Sequence, residues 1–145
     1  GVEELGSELP SVVASVEVGG ARLSVIVTHP MPPVRAPLSD ELARQLDAVA
    51  RRSAQLAGPV IVMGDFNTTP WSRAFARLRA RTGLCDTRAG FGIHATFPAS
   101  NWVVRIPIDH VLVSCSVGVR DRRVERDVGS DHLPVVVDVV VPRGS

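Results

Sequence analysis

The stretch VIVMGDFNTTPW, residues 60–71, predicts a strand, a sharp loop and the start of a helix in immediate succession. The apolar run 60–63 is typical of a short buried strand. The residues GDFN at 64–67 favour a tight turn, and Pro70 is typical of the first turn of a helix, expected at about 71–82. Polar side chains directly after a buried strand are held by a rigid sheet and can project into a cleft. This stretch therefore predicts a functional loop at the edge of a sheet.

The segment upstream is typical of an antiparallel hairpin followed by a helix. Two stretches that alternate apolar and polar residues flank Gly19-Gly20, a common two-residue hairpin turn. Beyond them, four prolines indicate a loop, and Ser39 is expected to be a helix N-cap. The expected elements are strands at 11–18 and 21–28, a loop at 30–37 and a helix at about 40–56.

The segment downstream predicts further strands. A loop-rich stretch at 83–107 comes first, since it contains several glycines and prolines. The other expected elements are a strand at 108–113, a charged edge strand at 117–124, a loop at 129–132 and an apolar strand at 133–141. Strands first, followed by strands separated by helices, predict one mixed α/β or α+β domain. A chain of 145 residues has the length of one domain.

The charge balance gives no sign of a surface that binds nucleic acid. The net charge is +1 and aromatic residues make up 4% of the chain, so no basic surface is indicated. No apolar run approaches the roughly 20 residues that span a bilayer, and the acidic opening 1–4 lacks the basic start of a signal peptide. The tail 142–145 is typical of the remnant of an engineered protease site, which leaves 1–141 as the domain.

The two cysteines, Cys85 and Cys115, match no metal-binding spacing. A structural disulfide would form in an oxidising compartment. The favoured interpretation is two free and mostly buried thiols, because cysteine often behaves as a small buried apolar residue.

Polar groups occur at four points where apolar strands begin or end. Together these segments offer carboxylates, imidazoles and one carboxamide. Carboxylate oxygens suit a hard divalent cation, and imidazoles can stabilise or protonate phosphoryl oxygens. No cysteine joins the set and the histidine spacings are long, which is unlike a structural zinc site. The four segments are THP at 28–30, GDFN at 64–67, IDH at 108–110 and SDH at 130–132.

Asp109 is the candidate for which a purely structural role is hardest to argue. It lies in the apolar run 106–113, where an unpaired carboxylate would be costly to bury. A hydrogen bond to His132, with the two side chains about 2.6–3.2 Å apart, would remove that cost. His110 is its neighbour on the strand, so the imidazole is expected on the opposite face as a packing residue.

The remaining polar residues each have a simpler interpretation. Asp65 and Asn67 are common in turns, and the Ser-Asp-His segment also fits the start of a loop. A single histidine such as His29 is more often a hydrogen-bonded structural residue than a catalyst. His94 lies in a glycine-rich loop and is assigned no role. The four segments are specific only as a set.

The ordered set THP, GDFNTTPW, IDHVL and GSDHLPV resembles the C-terminal part of the endonuclease/exonuclease/phosphatase family, over about residues 11–141. This family includes deoxyribonuclease I-like nucleases, abasic-site endonucleases, sphingomyelinases and inositol phosphatases. The resemblance implies half of a four-layer α/β sandwich, with a mixed, mostly antiparallel sheet and helices on its outer face. The stretch THPMPP and Trp71-Ser72 further resemble a bacterial branch whose members often carry N-terminal membrane helices. That likeness implies a soluble fragment of a membrane-anchored parent.

The resemblance implies hydrolysis of phosphodiesters or phosphomonoesters by activated water, with Mg²⁺ or Mn²⁺ as the cofactor. In-line attack needs a base on one side and cationic stabilisation of the developing charge. Carried over residue by residue, the resemblance implies that Asp65 orients or deprotonates the water and helps to bind the metal, together with Asp131. Asn67 binds the phosphate, and His29 contacts it from the other side of the cleft. His132 stabilises the developing charge or assists proton transfer, in an orientation held by Asp109.

The chain departs from the family pattern in its first half. The metal-binding Glu of that half, within an apolar-Gln-Glu sequence, and an Asn near its first strand have no counterpart here. Comparable single domains have roughly 200–250 residues, so the chain is expected to be an inactive fragment. The strands 21–28, 60–63, 108–113 and 133–141 are apolar on both faces, as is typical of strands covered on both sides. The sheet is therefore expected to bind the missing N-terminal half or a second copy of the chain.

Other functions remain open from the residues. A non-catalytic binding or scaffolding domain would keep the fold without turnover, and absence of the missing Glu from the complete gene would favour it. A zinc hydrolase built on the histidines is the third interpretation. Nucleic acid is a possible substrate that the charge does not indicate, and a lipid, nucleotide or sugar phosphate fits equally well.

Overall fold

A sheet with helices on one face forms the body of the molecule. The computed structural model describes residues 2–4, 11–32 and 36–142. In these ranges the elements are β1 (Val2–Glu4), β2 (Ser11–Val18), β3 (Ala21–Thr28), α1 (Ala36–Ala54), β4 (Val60–Asp65), α2 (Arg73–Thr82), β5 (Cys85–Asp86), β6 (Asp109–Val113), β7 (Gly118–Val124) and β8 (Val135–Val140).

The main sheet has the order β1-β2-β3-β4-β6-β5, while β7 pairs with β8 in a separate ribbon. Strands β3 and β4 are parallel, and the other neighbouring strands are antiparallel. The expected mixed, mostly antiparallel sheet with helices on one face is thus confirmed, including the hairpin of β2 and β3. The register places Asp65 opposite Asp109, so the end of β4 and the start of β6 meet at one edge of the sheet.

The helices cover one face of the sheet with a continuous apolar core. Helix α1 contributes Leu46 and Val49, and α2 contributes Phe75. They pack with Ile26 of β3 and Leu112 of β6, and all five side chains are buried. Burial of one such side chain stabilises the fold by about 1.5–3 kcal/mol. The strands that carry the polar edge residues are therefore held firmly from this side.

The second face of the sheet is only partly covered. The β7–β8 ribbon packs on Leu23, Ile61 and Val113, which are buried. Val27, four positions after Leu23, and Met63, two positions after Ile61, point to the same face. They are 41% and 37% exposed. An apolar part of this face, next to the polar edge, has no cover within the described chain.

The expectation for the last strand is wrong in one respect. The apolar run 133–141 does form a strand, β8, but that strand lies in the small ribbon and its residues are half-buried or exposed. Its apolar sequence reflects one-sided packing on the main sheet rather than cover on both faces. Strands β1 and β5 were not expected, since three and two residues are too short to show periodicity.

The helix starts also differ from expectation. Helix α1 begins at Ala36, so Ser39 lies inside it rather than at its N-cap. Pro37 is compatible with this start because the first helical turn needs no backbone N–H donors. Helix α2 begins at Arg73, where the Ser72 side chain accepts a hydrogen bond from the backbone N–H of Phe75 at 3.0 Å. Of the helices in the described ranges, none is both long and apolar enough to cross a membrane.

Some expectations fall partly outside the described residues. The proline-rich loop includes 33–35, and the expected protease-site remnant includes 143–145. These two segments therefore stay predictions from the sequence.

The interpretation of Cys85 and Cys115 as free buried thiols is wrong, because the two form a disulfide. Their spacing of 30 residues gave no sign of proximity. The bond arises because β5 pairs with β6, which places Cys85 opposite Val113, close to the turn that carries Cys115. The disulfide fastens the edge strand β5 to the connection between β6 and β7.

Reduction of this disulfide is expected to lower the free energy of unfolding by about 3–4 kcal/mol, because it frees a loop of roughly 30 residues in the unfolded chain. Urea unfolding with and without dithiothreitol measures the effect. The double variant Cys85→Ser/Cys115→Ser is the control, since its stability should match that of the reduced protein and ignore the reductant. Equal stability of the oxidised and reduced wild type would contradict the prediction.

Candidate active site

The polar edge of the sheet depends on a close approach between the ends of β3 and β4. Gly64 has φ 141°, and a Cβ at this position would lie 2.0 Å from the carbonyl oxygen of Thr28. Only glycine fits such a contact. It allows the THP loop to run beside the GDFN loop, so that His29 Nε2 lies 3.4 Å from Asp65 Oδ2.

Asp65 lies between two histidines. Its Oδ2 atom is 3.4 Å from His29 Nε2 and 3.7 Å from His132 Nε2. Burial raises the pKa of the Asp65 carboxyl and outweighs the hydrogen bond from the Asn67 backbone N–H; the nearby Asp109 charge adds to the rise. The carboxylate is thereby made more basic than an exposed aspartate.

The expected contact between Asp109 and His132 is present. His132 Nδ1 lies 2.9 Å from Asp109 Oδ2, and the Thr96 hydroxyl donates to the same oxygen. The ring of Phe97 packs on the imidazole with its centroid 4.7 Å away. The carboxylate in the apolar strand thus has two partners, and the orientation of His132 is fixed from two sides.

The charges around His132 favour its protonated form. Burial lowers the pKa of this imidazole, but the hydrogen bond to Asp109 and the charges of Asp109, Asp65 and Asp131 together raise it above the ordinary value. Because Nδ1–H donates to Asp109, Nε2 faces Asp65 and carries the second proton when the ring is charged.

The contacts of Asn67 fit its interpretation as a turn residue, and its role at the phosphate stays a prediction. This residue has φ 48°, and its backbone N–H donates to Asp65 Oδ1 at 2.8 Å, which is ordinary turn chemistry. Its side-chain amide donates to the carbonyl of Pro30 at 2.8 Å. The amide therefore ties the GDFN loop to the THP loop.

Asp131 is exposed, with its Oδ1 3.4 Å from the hydroxyl of Ser130. Within the described residues no group of three or more His, Cys, Asp or Glu side chains is arranged to hold a metal ion. The expected ligands Asp65 and Asp131 supply oxygen donors of the kind that Mg²⁺ prefers. They do not form a complete ligand set on their own.

An open pocket of about 380 Å³ lies beside Asp109 and His132. Asp109 and His132 line one part of it, and Val27 and Met63 from the uncovered face of the sheet line another. The Asp109–His132 pair and the exposed apolar face thus line the same pocket.

Comparison with known proteins identifies the family of this chain. The model of the endonuclease/exonuclease/phosphatase family matches residues 4–132, which is most of the chain. The chain belongs to the endonuclease/exonuclease/phosphatase family. No curated protein matches it by sequence.

Solved structures of similar fold are longer than this chain. An endonuclease/exonuclease/phosphatase from Beutenbergia cavernae is 27% identical with a TM-score of 0.74, over 90% of this chain and 39% of that one. The human Nocturnin catalytic domain with bound sulfate is 18% identical with a TM-score of 0.73, over 91% and 53%. D. rerio TDP2 complexed with a single-strand DNA product is 21% identical with a TM-score of 0.70, over 90% and 61%. The chain thus spans less than two thirds of each of these proteins.

In this member of the endonuclease/exonuclease/phosphatase family, the sequence alone did not reveal Thr96 and Phe97. Both lie in the stretch expected to be loop-rich, where no periodicity marks a functional residue. Their position depends on a bridge between Phe97 and Ile106 that precedes β6. The only signal in the sequence was their closeness to the IDH segment.

Arg122 is a second residue that the sequence did not reveal. It is 3% exposed and donates to the Thr87 hydroxyl at 2.7 Å, to His94 Nδ1 at 3.1 Å and to the Asp109 carbonyl at 3.4 Å. Burial lowers its pKa. It joins β7 to the backbone of β6 and forms a hydrogen bond with His94.

His110 packs on the helix face, opposite to the side chain of Asp109, as expected. It is 2% exposed, with ring centroids 5.0 Å from Phe66 and 4.4 Å from Phe75. Its Nε2 lies 2.7 Å from the carbonyl oxygen of Thr68, to which it donates. Burial lowers the pKa of this imidazole to about 4, so the ring is neutral near pH 7.

Acidification from pH 6.5 to pH 5 is expected to lower the free energy of unfolding through His110 by about 2 kcal/mol. The unfolded chain takes up a proton near the ordinary histidine pKa, whereas the folded imidazole stays neutral down to about pH 4. The stabilisation is therefore complete above pH 6.5 and is lost as the pH falls. Urea unfolding between pH 7 and 5 measures it, with His110→Phe as the matched variant that keeps a ring. The same pH dependence in both proteins would count against this assignment.

Proposed function

We propose that the protein is part of a metal-dependent phosphoesterase that hydrolyses phosphodiesters or phosphomonoesters by activated water. One observation carries the proposal. The Asp109–His132 pair directs His132 Nε2 towards Asp65 Oδ2, and His29 Nε2 approaches the same carboxylate from the other side. A buried carboxylate between two imidazoles combines a base with cationic groups, as in-line attack on phosphorus requires.

The roles of the side chains follow from their environments. Asp65 orients the attacking water and accepts its proton, helped by the rise in its pKa that burial causes. The protonated His132 stabilises negative charge on the phosphoryl oxygens through Nε2–H, while Asp109 and Thr96 hold the ring. The Asn67 side chain, which donates to the Pro30 carbonyl, is the proposed phosphate-binding amide.

A divalent cation, Mg²⁺ or Mn²⁺, would supply charge stabilisation at the phosphoryl oxygens and polarise the water. Asp65 and Asp131 are the proposed ligands from this chain. Since the described residues do not complete a ligand set, the remaining ligands would come from outside them. This is consistent with a chain that spans 39%, 53% and 61% of the structures to which it is similar.

The incomplete metal site also supports a second candidate function. A non-catalytic binding or scaffolding domain would keep the fold and the Asp109–His132 pair but would lack the ligands for turnover. The resemblance to the bacterial branch adds the proposal that the whole protein is anchored to a membrane by helices beyond this sequence. The sequence upstream of Gly1 tests both points, through the presence of the metal-binding Glu and of apolar spans.

Hydrolysis of bis(p-nitrophenyl) phosphate and p-nitrophenyl phosphate tests the activity directly. The longest natural chain that contains these residues is expected to hydrolyse one of them with Mg²⁺ or Mn²⁺, to lose the activity in EDTA and to regain it when the metal is restored. The 145-residue chain alone is expected to be inactive, because its metal site is incomplete. Failure of the longer chain on both substrates with either metal would favour the scaffolding function.

A further inference from the structure

The two residues of the Asp109–His132 pair belong to different sheets. Asp109 begins β6 of the main sheet, whereas His132 lies in the connection between β7 and β8, which form the separate ribbon. The distance of 2.9 Å between His132 Nδ1 and Asp109 Oδ2 therefore depends on where the ribbon lies on the sheet. A shift of the ribbon would move the histidine relative to its carboxylate.

Apolar contacts between the ribbon and the sheet do not fix this position closely. Val119 and Val139 of the ribbon pack against the buried cluster that contains Leu23, Ile61 and Val113 of the main sheet. Hydrophobic contacts are non-directional, so a small sliding movement between such surfaces loses little burial. A hydrogen bond weakens steeply with distance and angle. The polar contacts between the ribbon and the sheet therefore determine the position of the ribbon.

Arg122 makes such polar contacts from the middle of β7. Its guanidinium donates to the carbonyl of Asp109 at 3.4 Å and to the Thr87 hydroxyl at 2.7 Å. The Thr87 hydroxyl in turn donates to the carbonyl of Val111 at 2.8 Å. The ribbon is thus joined to β6 at two alternate residues, and one of them is Asp109 itself.

Arg122 also reaches the segment that orients the Asp109 carboxylate. Its Nε donates to His94 Nδ1 at 3.1 Å. His94 lies two residues before Thr96, whose hydroxyl donates to the carboxylate of Asp109. One guanidinium, carried by the ribbon that also carries His132, therefore contacts the backbone of Asp109 and the segment of its second partner.

The burial of Arg122 is costly for a residue with only a structural role. The residue is 3% exposed. Within the part of the chain that the structure describes, its hydrogen-bond partners are a hydroxyl, an imidazole and a carbonyl rather than a carboxylate. Burial lowers the pKa of the guanidinium, because the cation is held away from water. Apolar side chains that replace buried charged groups often leave a fold equally or more stable, so the core alone gives no reason for an arginine here.

We infer that Arg122 is a positioning residue, which fixes the β7–β8 ribbon on the main sheet so that His132 meets the Asp109 carboxylate. Its contacts are with the Asp109 carbonyl, Thr87 and His94, so it acts through these groups and not on a substrate. The position of His132 is independent of turnover, whereas the consequence for hydrolysis rests on the proposed function.

Arg122→Met, in the longest natural chain that contains these residues, tests the inference by imidazole NMR titration. Burial lowers the pKa of His132, but the hydrogen bond to Asp109 raises it. Misplacement of the ribbon weakens that hydrogen bond and is expected to lower the pKa of His132. Loss of the arginine charge alone would raise the pKa, since a nearby cation disfavours the charged imidazole. The sign of the shift therefore separates positioning from a charge effect.

Hydrolysis of bis(p-nitrophenyl) phosphate or p-nitrophenyl phosphate with Mg²⁺ or Mn²⁺ provides the second measurement. Arg122→Met is expected to lower kcat by about 10–100-fold, as loss of a supporting partner commonly does, with KM nearly unchanged. Thr87→Val removes one of the three contacts and should shift the pKa and kcat in the same direction by less. Arg123→Met is the matched control, because Arg123 is the next residue of β7 but is exposed and paired with surface carboxylates.

Urea unfolding of each variant shows whether its fold is intact, and Thr87→Val decides the matter if Arg122→Met does not fold. A His132 pKa that is unchanged or raised in the folded variants would overturn the inference, as would equal losses of kcat in Arg122→Met and the control. A lowered pKa in a wild type that hydrolyses no phosphate ester would keep the positioning role and reject the proposed function. Hydrolysis with an unchanged kcat in Arg122→Met would do the reverse.

Discussion

Replacement of Asp109 with asparagine is expected to lower the rate of phosphate-ester hydrolysis by about 10²–10⁴-fold, the range that a positioned acid–base group contributes. The carboxylate accepts hydrogen bonds from His132 Nδ1 and from Thr96 on one oxygen. Asparagine can keep an oxygen in that place but removes the negative charge. The protonated form of His132 then loses its main stabilisation, and the imidazole is no longer fixed in one orientation.

A readout that needs no turnover accompanies this prediction. Because the hydrogen bond to Asp109 and the charge of Asp109 raise the pKa of His132, Asp109→Asn should lower it, which imidazole NMR titration detects. Asp121→Asn on β7 is the matched control: it removes a carboxylate that is paired with Arg123 at the surface. It should change neither the rate nor the titration of His132. Rates of Asp109→Asn within about threefold of the wild type would refute the role of the pair.

The sequence predicted the parts of this site that depend on short segments. A buried strand that ends in GDFN and an aspartate within an apolar strand are local signals with a physical cause. They were enough to place Asp65 and to pair Asp109 with His132. The opposite orientation of His110 followed from the alternation of side chains along a strand.

The parts that the sequence did not predict depend on contacts between distant segments. Thr96 reaches Asp109 only because Phe97 pairs with Ile106. The disulfide forms only because the two-residue strand β5 joins the edge of the sheet. The hydrophobic pattern shows the period of a strand but not which segment pairs with it. It therefore indicates that a strand is buried without identifying the residues that cover it. The same limit explains why the apolar pattern of β8 was interpreted as cover on both faces.

The 145-residue chain is expected to self-associate through the exposed part of its sheet. The β7–β8 ribbon covers part of the second face of the sheet, but Val27 and Met63 stay exposed, as do Val16 and Val18 at 38% and 51%. These residues project to the same face, since Val16 is opposite Leu23 and Val27 is opposite Met63. At about 25 cal/mol per Å², an uncovered patch of roughly 200–400 Å² corresponds to about 5–10 kcal/mol of burial that a partner can supply.

The family relationship and the pocket indicate which partner fits. The chain covers 39–61% of the three similar structures, and Val27 and Met63 line the pocket that also contains Asp109 and His132. We expect the remaining part of a longer domain to cover this face and to lie opposite Asp109 and His132 as well, whereas a second copy would only cover the face. Light scattering at micromolar concentration should therefore find dimers or larger species of the 145-residue chain and a monomer of the longer natural chain. Val27→Ser/Met63→Ser should shift the short chain towards monomer. Val103→Ser should not, because Val103 is an exposed residue of the connection between Phe97 and Ile106 and not of this sheet face. A monodisperse short chain that melts cooperatively as a monomer would show that the exposed face needs no partner.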